Sequence, residues 1–171
     1  MLAKTLIAIA VALAAGTCAG AETFNAKPGA WEMSVTTVTT GNPIPADVLA
    51  ALSPDKRAEI EASMKERSGK ADTHTFKTCV TQKDLDQNSM IKSEEDSKCI
   101  RKVLSKSSTK IVVEQSCPPP RASSGKAQIE AKNPETLVAV IDTAQGSGGK
   151  IHVNMKGRWL AASCEGIKEE E

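Results

Sequence analysis

The fold of this chain is decided by a hairpin at residues 99–117, which read CIRKVLSKSSTKIVVEQSC. Two strand-like runs, Cys99–Ser105 and Lys110–Cys117, flank a polar stretch at 106–109 that is typical of a turn. If the turn centres on Ser108, every residue of one run faces a definite residue of the other. The hairpin therefore predicts two neighbouring antiparallel strands together with their register.

This register brings together two cysteines, two opposite charges and two pairs of apolar side chains. The facing pairs are Cys99 with Cys117, Arg101 with Gln115, Lys102 with Glu114, Val103 with Val113 and Leu104 with Val112. Such cross-strand pairs stabilise a sheet, and a slip by one residue would lose all of them. Opposed residues on antiparallel strands lie within disulfide reach, so we expect a bridge between Cys99 and Cys117.

The other cysteines complete a disulfide framework. Beyond the N-terminal segment the chain has four, Cys79, Cys99, Cys117 and Cys164. An even count in an exported chain favours disulfides, and four cysteines allow three connectivities. With the hairpin pair assigned, the second expected bridge is Cys79–Cys164. The sequence contains no Cys-x-x-Cys, so a thioredoxin-type redox site is not supported.

Residues 1–21 have the pattern of a secretory signal peptide. Lys4 precedes an apolar stretch at 6–15, and Ala19-Gly20-Ala21 is a small-x-small cleavage site. This pattern predicts cleavage after Ala21 and a periplasmic or secreted bacterial protein.

Lipidation of Cys18 is the alternative reading of the same segment. A lipobox has Leu three residues before the cysteine and a small residue directly before it. Ala15 and Thr17 occupy those positions here, so the lipobox is poorly matched. We therefore expect cleavage after Ala21.

Residues 22–171 are expected to form a single β-rich domain. Beside the hairpin, alternating patterns predict strands at about 30–40, 73–80, 127–132, 136–143 and 151–159. A helical insertion at about 45–68 follows the first strand, with Ser53 and Pro54 as a helix start and Gly69 as a stop. We expect a mainly β fold, an antiparallel meander of about seven strands forming a curved sheet or a barrel-like domain.

Charge and composition exclude several classes of partner. Removing Lys4 from the 22 basic residues leaves 21, against 21 acidic residues, so the mature chain has no basic excess for nucleic acid. The four aromatic residues, two Trp and two Phe, argue against stacking on bases. No apolar run beyond residue 21 approaches the ~20 residues of a membrane span. The acidic tail at 168–171 is expected to be solvated.

The candidate pocket residues lie on the first and last strands. Trp31 and Met33 share one face of the first strand, and Met155 and Trp159 share one face of the last. We expect the two tryptophans to approach each other. These four side chains either line a pocket in the curved sheet or fill the core as anchors.

The sequence assigns no catalytic residue, metal ligand or cofactor. The two histidines, His74 and His152, lack neighbouring ligands or a nucleophile motif, and His152 is expected to be exposed to solvent. Ser147 lies in a glycine loop without the features of a nucleophile elbow. The acidic run Glu94-Glu95-Asp96 lacks the spacing of a calcium loop, so solubility is its expected role.

Five segments, in this order, resemble a bacterial exported family, the domain-of-unknown-function family 3617. They are PGAWEM at 28–33, SPDKRAEIE at 53–61, CVT at 79–81, the hairpin at 99–117 and GRWLAASC at 157–164. The resemblance implies an envelope or secreted location, four cysteines, a β-rich fold and no established activity. It supplies no catalytic residues to transfer to this chain.

Three hypotheses of function remain at this level. The first is a non-catalytic envelope protein that binds a partner protein, and the second is a carrier for a small apolar or amphipathic ligand. The third is an enzyme, for which the chain shows no acid–base constellation. A partner-binding protein requires an exposed apolar patch or a long sheet edge, whereas a carrier requires a cavity.

The signal-peptide pattern is tested by the N-terminus of the exported protein. Edman sequencing or intact mass measurement should show a chain that begins at Glu22. A lipid-modified Cys18 at the N-terminus would contradict this expectation.

Overall fold

A computed structural model describes residues 23–86, 98–119 and 122–167 of the chain. Its helices and strands are β1 (Gly29–Thr40), α1 (Ala46–Ala50), α2 (Pro54–Arg67), β2 (Ala71–Val80), β3 (Ile100–Lys106), β4 (Lys110–Cys117), β5 (Ser123–Asn133), β6 (Thr136–Gln145) and β7 (Lys150–Ala161). The expected mainly β fold with a helical insertion after the first strand is confirmed. Cys18, the acidic run at 94–96 and the tail at 168–171 lie outside the described residues.

Seven antiparallel strands form one curved, unclosed sheet in the order β2-β1-β7-β6-β5-β4-β3. Strands β3 to β7 follow one another as a meander, and β7 then pairs with β1 near the start of the chain. Strands β2 and β3 are the two edges, so the barrel-like alternative is not the one adopted. Because β1 lies inside the sheet, its first three residues, Gly29–Trp31, and Val35 are buried, whereas α2 has no buried residue.

The hairpin of β3 and β4 follows the predicted register over its outer half. Arg101 faces Gln115, Lys102 faces Glu114 and Val103 faces Val113. The predicted pairing of Leu104 with Val112 is wrong, because the ladder shifts and Ser105 faces Val112 instead. Leu104 is the extra residue of a β-bulge.

The turn explains why this bulge exists. The Ser107 N–H donates to the Lys110 carbonyl at 2.8 Å, so the loop has Ser108 and Thr109 at its tip. The turn thus centres between two residues rather than on Ser108. The cysteine end of the hairpin keeps the register centred on Ser108, and the bulge absorbs the difference of one residue.

Trp31 and Trp159 face each other across the β1–β7 ladder, as expected. Trp31 is fully buried, and its Nε1–H donates to the Lys27 carbonyl at 2.9 Å. Trp159 is partly exposed, and its Nε1–H donates to the Pro28 carbonyl at 3.1 Å. The Lys27 ammonium lies 4.6 Å from the centroid of the Trp159 ring, in cation–π geometry. Both indoles therefore anchor the segment that leads into β1.

This segment, residues 23–28, covers one end of the sheet. Phe24 packs with Ile111 and Ala131 in a buried cluster. The Phe24 N–H donates to the Leu85 carbonyl at 2.9 Å, and Leu85 is itself buried. The chain thereby connects β1, the hairpin turn and the segment after β2 on the apolar face of the sheet.

Both predicted cysteine pairs lie at disulfide distance. The sulfur atoms of Cys99 and Cys117 are 2.07 Å apart, with the Cα atoms 4.1 Å apart across the hairpin. Those of Cys79 and Cys164 are 1.95 Å apart and connect β2 to the segment that follows β7. Among the described residues, no helix combines the length and the apolar character that a membrane crossing requires.

The two bridges are expected to stabilise the fold unequally, because they close loops of different length. Replacing Cys79 and Cys164 together by Ala should lower the free energy of unfolding by about 4.5 kcal/mol in the chain-entropy treatment. Replacing Cys99 and Cys117 should lower it by about 3 kcal/mol. Guanidinium denaturation of the oxidised protein measures both changes. Non-reducing peptide maps that link Cys79 to Cys99 or Cys117 would contradict the pairing.

Candidate functional site

The two faces of the sheet differ in chemistry because side chains alternate along each strand. The apolar face carries Trp31, Met33 and Val35 of β1 and, across the ladder, Trp159, Met155 and Val153 of β7. The opposite, polar face carries Glu32 and Arg158, which form an ion pair at 2.9 Å. Of these six apolar side chains Trp31 and Val35 are buried and the other four are partly buried, whereas the opposite face is polar and available for contacts.

A groove of about 740 Å³ opens on the polar face. Val38 and Thr40 of β1 line one side, and Ile100 and Lys102 of β3 line the other. The floor between them comes from β4, β5, β6 and β7. Because β1 and β3 are separated by four strands in the sheet, the groove exists only through the curvature of the sheet.

A row of alternating charges crosses the floor of this groove. In register across the strands it runs Lys102, Glu114, Lys126, Asp142, His152 and Val38. Opposite charges at facing positions attract each other and like charges repel, so the order of the first four residues stabilises the pairing of β3 to β6. His152 extends the row to β7 through its hydrogen bond to Asp142. Lys102 faces Glu114 as predicted, and these two residues are the first two positions of the longer row.

A second row, two residues further along each strand, has small side chains at its centre, so the floor of the groove is low there. It runs Ile100, Ser116, Ser124, Ala144, Lys150 and Thr40. The three central side chains are small and exposed. Lys150 faces Ala144 on one side and Thr40 on the other, so neither cross-strand neighbour is acidic. The groove therefore has an uncharged bed with one cation at its β7 side.

His152 is held at both ring nitrogens. Nδ1 lies 2.6 Å from Asp142 Oδ1, and Nε2 lies 2.8 Å from Asn154 Nδ2. With Asn154 donating, Nε2 is an acceptor and Nδ1 carries the proton that it donates to Asp142. The nitrogen that a general base would use is thus already engaged. The expectation of a simply solvent-exposed His152 missed these partners.

The residues proposed from the sequence lie elsewhere. Trp31, Met33, Met155 and Trp159 share the apolar face, on the other side of the sheet from the groove. His74 stacks on Phe76 in the edge strand β2, with ring centroids 5.7 Å apart. The Ser147 hydroxyl donates to the Asn42 carbonyl at 2.7 Å and ties two loops together.

Sequence reasoning missed the groove because its residues are spread over six strands. The available signal was the complementary charges of Lys102, Glu114 and Lys126 on strands that succeed one another. Within the described residues, no group of three or more His, Cys, Asp or Glu side chains is placed to hold a metal ion. The groove thus offers hydrogen bonds, apolar walls and a cation, Lys150, that faces no acidic residue across the strands.

Comparison with known proteins identifies a family. A family model described as "Protein of unknown function (DUF3617)" matches residues 26–164. No curated protein matches the chain, and no solved structure matches it.

The alternating charge row predicts a salt-dependent effect of reversing one charge. Glu114→Lys would align three ammonium groups across β3, β4 and β5, and should lower the free energy of unfolding by about 1–2 kcal/mol at low salt. Glu114→Gln should cost less than about 1 kcal/mol. Denaturation at low and high salt measures both changes. High salt should reduce the difference in free energy of unfolding between Glu114→Lys and Glu114→Gln, because salt screens the charges.

Glu66→Lys is the matched control, since it makes the same charge change in α2, a helix without buried residues that is not part of the charge row. If Glu114→Gln and Glu114→Lys lowered the free energy of unfolding equally at low salt, the charge row would not stabilise the sheet electrostatically.

Proposed function

The chain belongs to the DUF3617 family of proteins of unknown function, and from that premise we propose an exported, non-catalytic binding protein. Its partner is a polypeptide, and an extended segment of that partner adds to the sheet at the edge strand β3. The observation that carries this proposal is the exposure of the edge strand β3.

All seven residues of β3 are exposed, although three of them are large and apolar. Ile100 is 75 % exposed, and Val103 and Leu104 are 40 % and 41 % exposed. Among the described residues β3 pairs with β4 alone, so its outer edge presents backbone donors and acceptors to an incoming strand. Edge strands of this kind accept extended peptides through main-chain hydrogen bonds, and side-chain contacts add specificity.

The charge of β3 selects the kind of segment that fits. Arg101, Lys102 and Lys106 lie within this one strand, which contains no acidic residue. A second copy of β3 at the same edge would place basic side chains against basic side chains, which disfavours self-pairing. A segment that alternates acidic and apolar residues complements both the cations and the exposed Val103.

Two further observations support export and the absence of catalysis. Both cysteine pairs lie at disulfide distance, which is typical of proteins that fold in oxidising compartments. His152 is hydrogen-bonded to Asp142 through Nδ1, and its Nε2 accepts a hydrogen bond from Asn154 instead of facing an open site. The groove favours a second function, carriage of a small amphipathic ligand.

The edge is tested with fluorescein-labelled peptides of alternating residues. A Val–Glu peptide should bind the oxidised full chain, and a Val–Lys peptide should bind at least tenfold more weakly. Val103→Asp should weaken the Val–Glu complex about tenfold, because it removes an apolar contact and adds a repelling charge. Fluorescence anisotropy measures the dissociation constants.

Val48→Asp is the matched control, because Val48 is 47 % exposed and belongs to α1, not to β3. It should leave the affinity unchanged. Equal affinity of the Val–Glu peptide for Val103→Asp and for the parent protein would exclude β3 as the binding edge. Equal binding of the two peptides would exclude charge selection.

A further inference from the structure

We propose that the groove on the polar face binds a single-chain anionic amphiphile. Its acidic head contacts Lys150, and its apolar chain lies on the bed of small residues toward Ile100. The groove shares Ile100 and Lys102 with β3 but opens on the polar face of the sheet, not at the outer edge of that strand. The proposal rests on the second function above, carriage of a small amphipathic ligand, and needs no polypeptide partner.

The shape of the groove is set by the row of small side chains. Ser116, Ser124 and Ala144 are exposed and lie between taller side chains at either end. The volume of about 740 Å³ falls within the range of pockets that hold small organic ligands. The row of small side chains runs across the strands from Ile100 of β3 to Lys150 of β7, a direction along which an unbranched chain can lie.

The charges around the groove leave Lys150 available for an anion. Lys102, Glu114, Lys126 and Asp142 alternate in the charged row, so each lysine there faces an acidic side chain. Asp142 is also bound to His152. The groove lining thus has three lysines against two carboxylates, a surplus of one positive charge with His152 neutral.

Lys150 is the lysine of the lining that faces no acidic residue across the strands. Its cross-strand neighbours are Ala144 and Thr40, whereas Lys102 and Lys126 each face an acidic residue. Among the described residues none of these three lysines has an ion-pair partner within 4.0 Å, so the facing residues are what distinguish Lys150. An acidic head at this position would gain a charge-assisted contact without displacing an existing pair. A cationic head would meet repulsion instead.

The walls favour an apolar body on the same molecule. Ile100 is 75 % exposed and lines the β3 side of the groove, and Val38 lines the β1 side. An apolar chain between them would remove exposed apolar surface from water. A groove recessed between β1 and β3 accepts a free chain, whereas the flat surface of a bilayer would touch only its rims.

The probes are decanoate, decanol and decyltrimethylammonium, which share one chain length and differ in head-group charge. Isothermal titration of the oxidised full chain, below the micelle concentration, should give the tightest binding for decanoate. Decanol should follow, and decyltrimethylammonium should bind most weakly. Raising the salt concentration should weaken the binding of decanoate and leave the binding of decanol unchanged, because salt screens the charge of the head group.

Two variants separate the head from the chain. Lys150→Gln should weaken the affinity for decanoate about fivefold and leave the affinity for decanol unchanged. Lys156→Gln is the matched control, because Lys156 lies on the same face of β7 but outside the groove lining. Ala144→Leu fills the bed at an exposed position, so it should weaken decanoate and decanol together without unfolding the protein.

Other outcomes would overturn the proposal. Equal binding of the three probes would exclude recognition of the head, and undiminished decanoate binding by Ala144→Leu would exclude the groove. Flotation with anionic-lipid vesicles, in the absence of decanoate binding, would identify a membrane surface as the occupant instead. Val103→Asp should leave decanoate affinity intact, so failure at the groove and failure at the β3 edge are distinguishable.

Discussion

The pairing of β1 with β7 is the interaction on which the rest of the structure depends. It joins the β1–β2 pair to the meander of β3 to β7, so the two ends of the domain meet inside the sheet. Trp31 reinforces this junction because it is fully buried opposite Trp159. The close approach of Cys79 and Cys164 ties the same region a second time, between the strand beside β1 and the segment beyond β7.

The groove is a consequence of that junction together with the curvature of the sheet. Only a sheet that places β1 beyond β7 can bring Val38 and Ile100 to opposite walls of one depression. The alternating charges on its floor stabilise the strands, and the small side chains beside them leave room for a ligand. One arrangement therefore supports both the stability and the proposed binding role of the polar face.

Much of the fold was predictable because its signals are local. The helix start at Ser53 and Pro54, the alternation along β7 and the facing cysteines of the hairpin each depend on neighbours close in sequence. The pairing of Leu104 with Val112 failed for an equally local reason, because the turn has two residues at its tip and a bulge restores the register. A hairpin sequence specifies complementary partners more firmly than the centre of its turn.

The candidate site was not predictable in the same way, because its parts come from six strands. Trp31, Met33, Met155 and Trp159 were recognisable as an apolar set, but their alternation does not tell which face of a curved sheet will form a depression. Similarly, nothing near His152 in the sequence indicates that Asp142 is its partner. Asp142 lies ten residues away and meets His152 only through the register of β6 and β7.

By itself the sequence determined the strand-rich character, the helical insertion, the hairpin and the pairs of cysteines, because periodicity, caps and cross-strand complementarity act over short distances. Tertiary structure alone decided that the sheet stays open, that β3 is an exposed edge and that the groove lies on the polar face. These features depend on strand order and sheet curvature, which sum many weak long-range contacts and leave no single local signal.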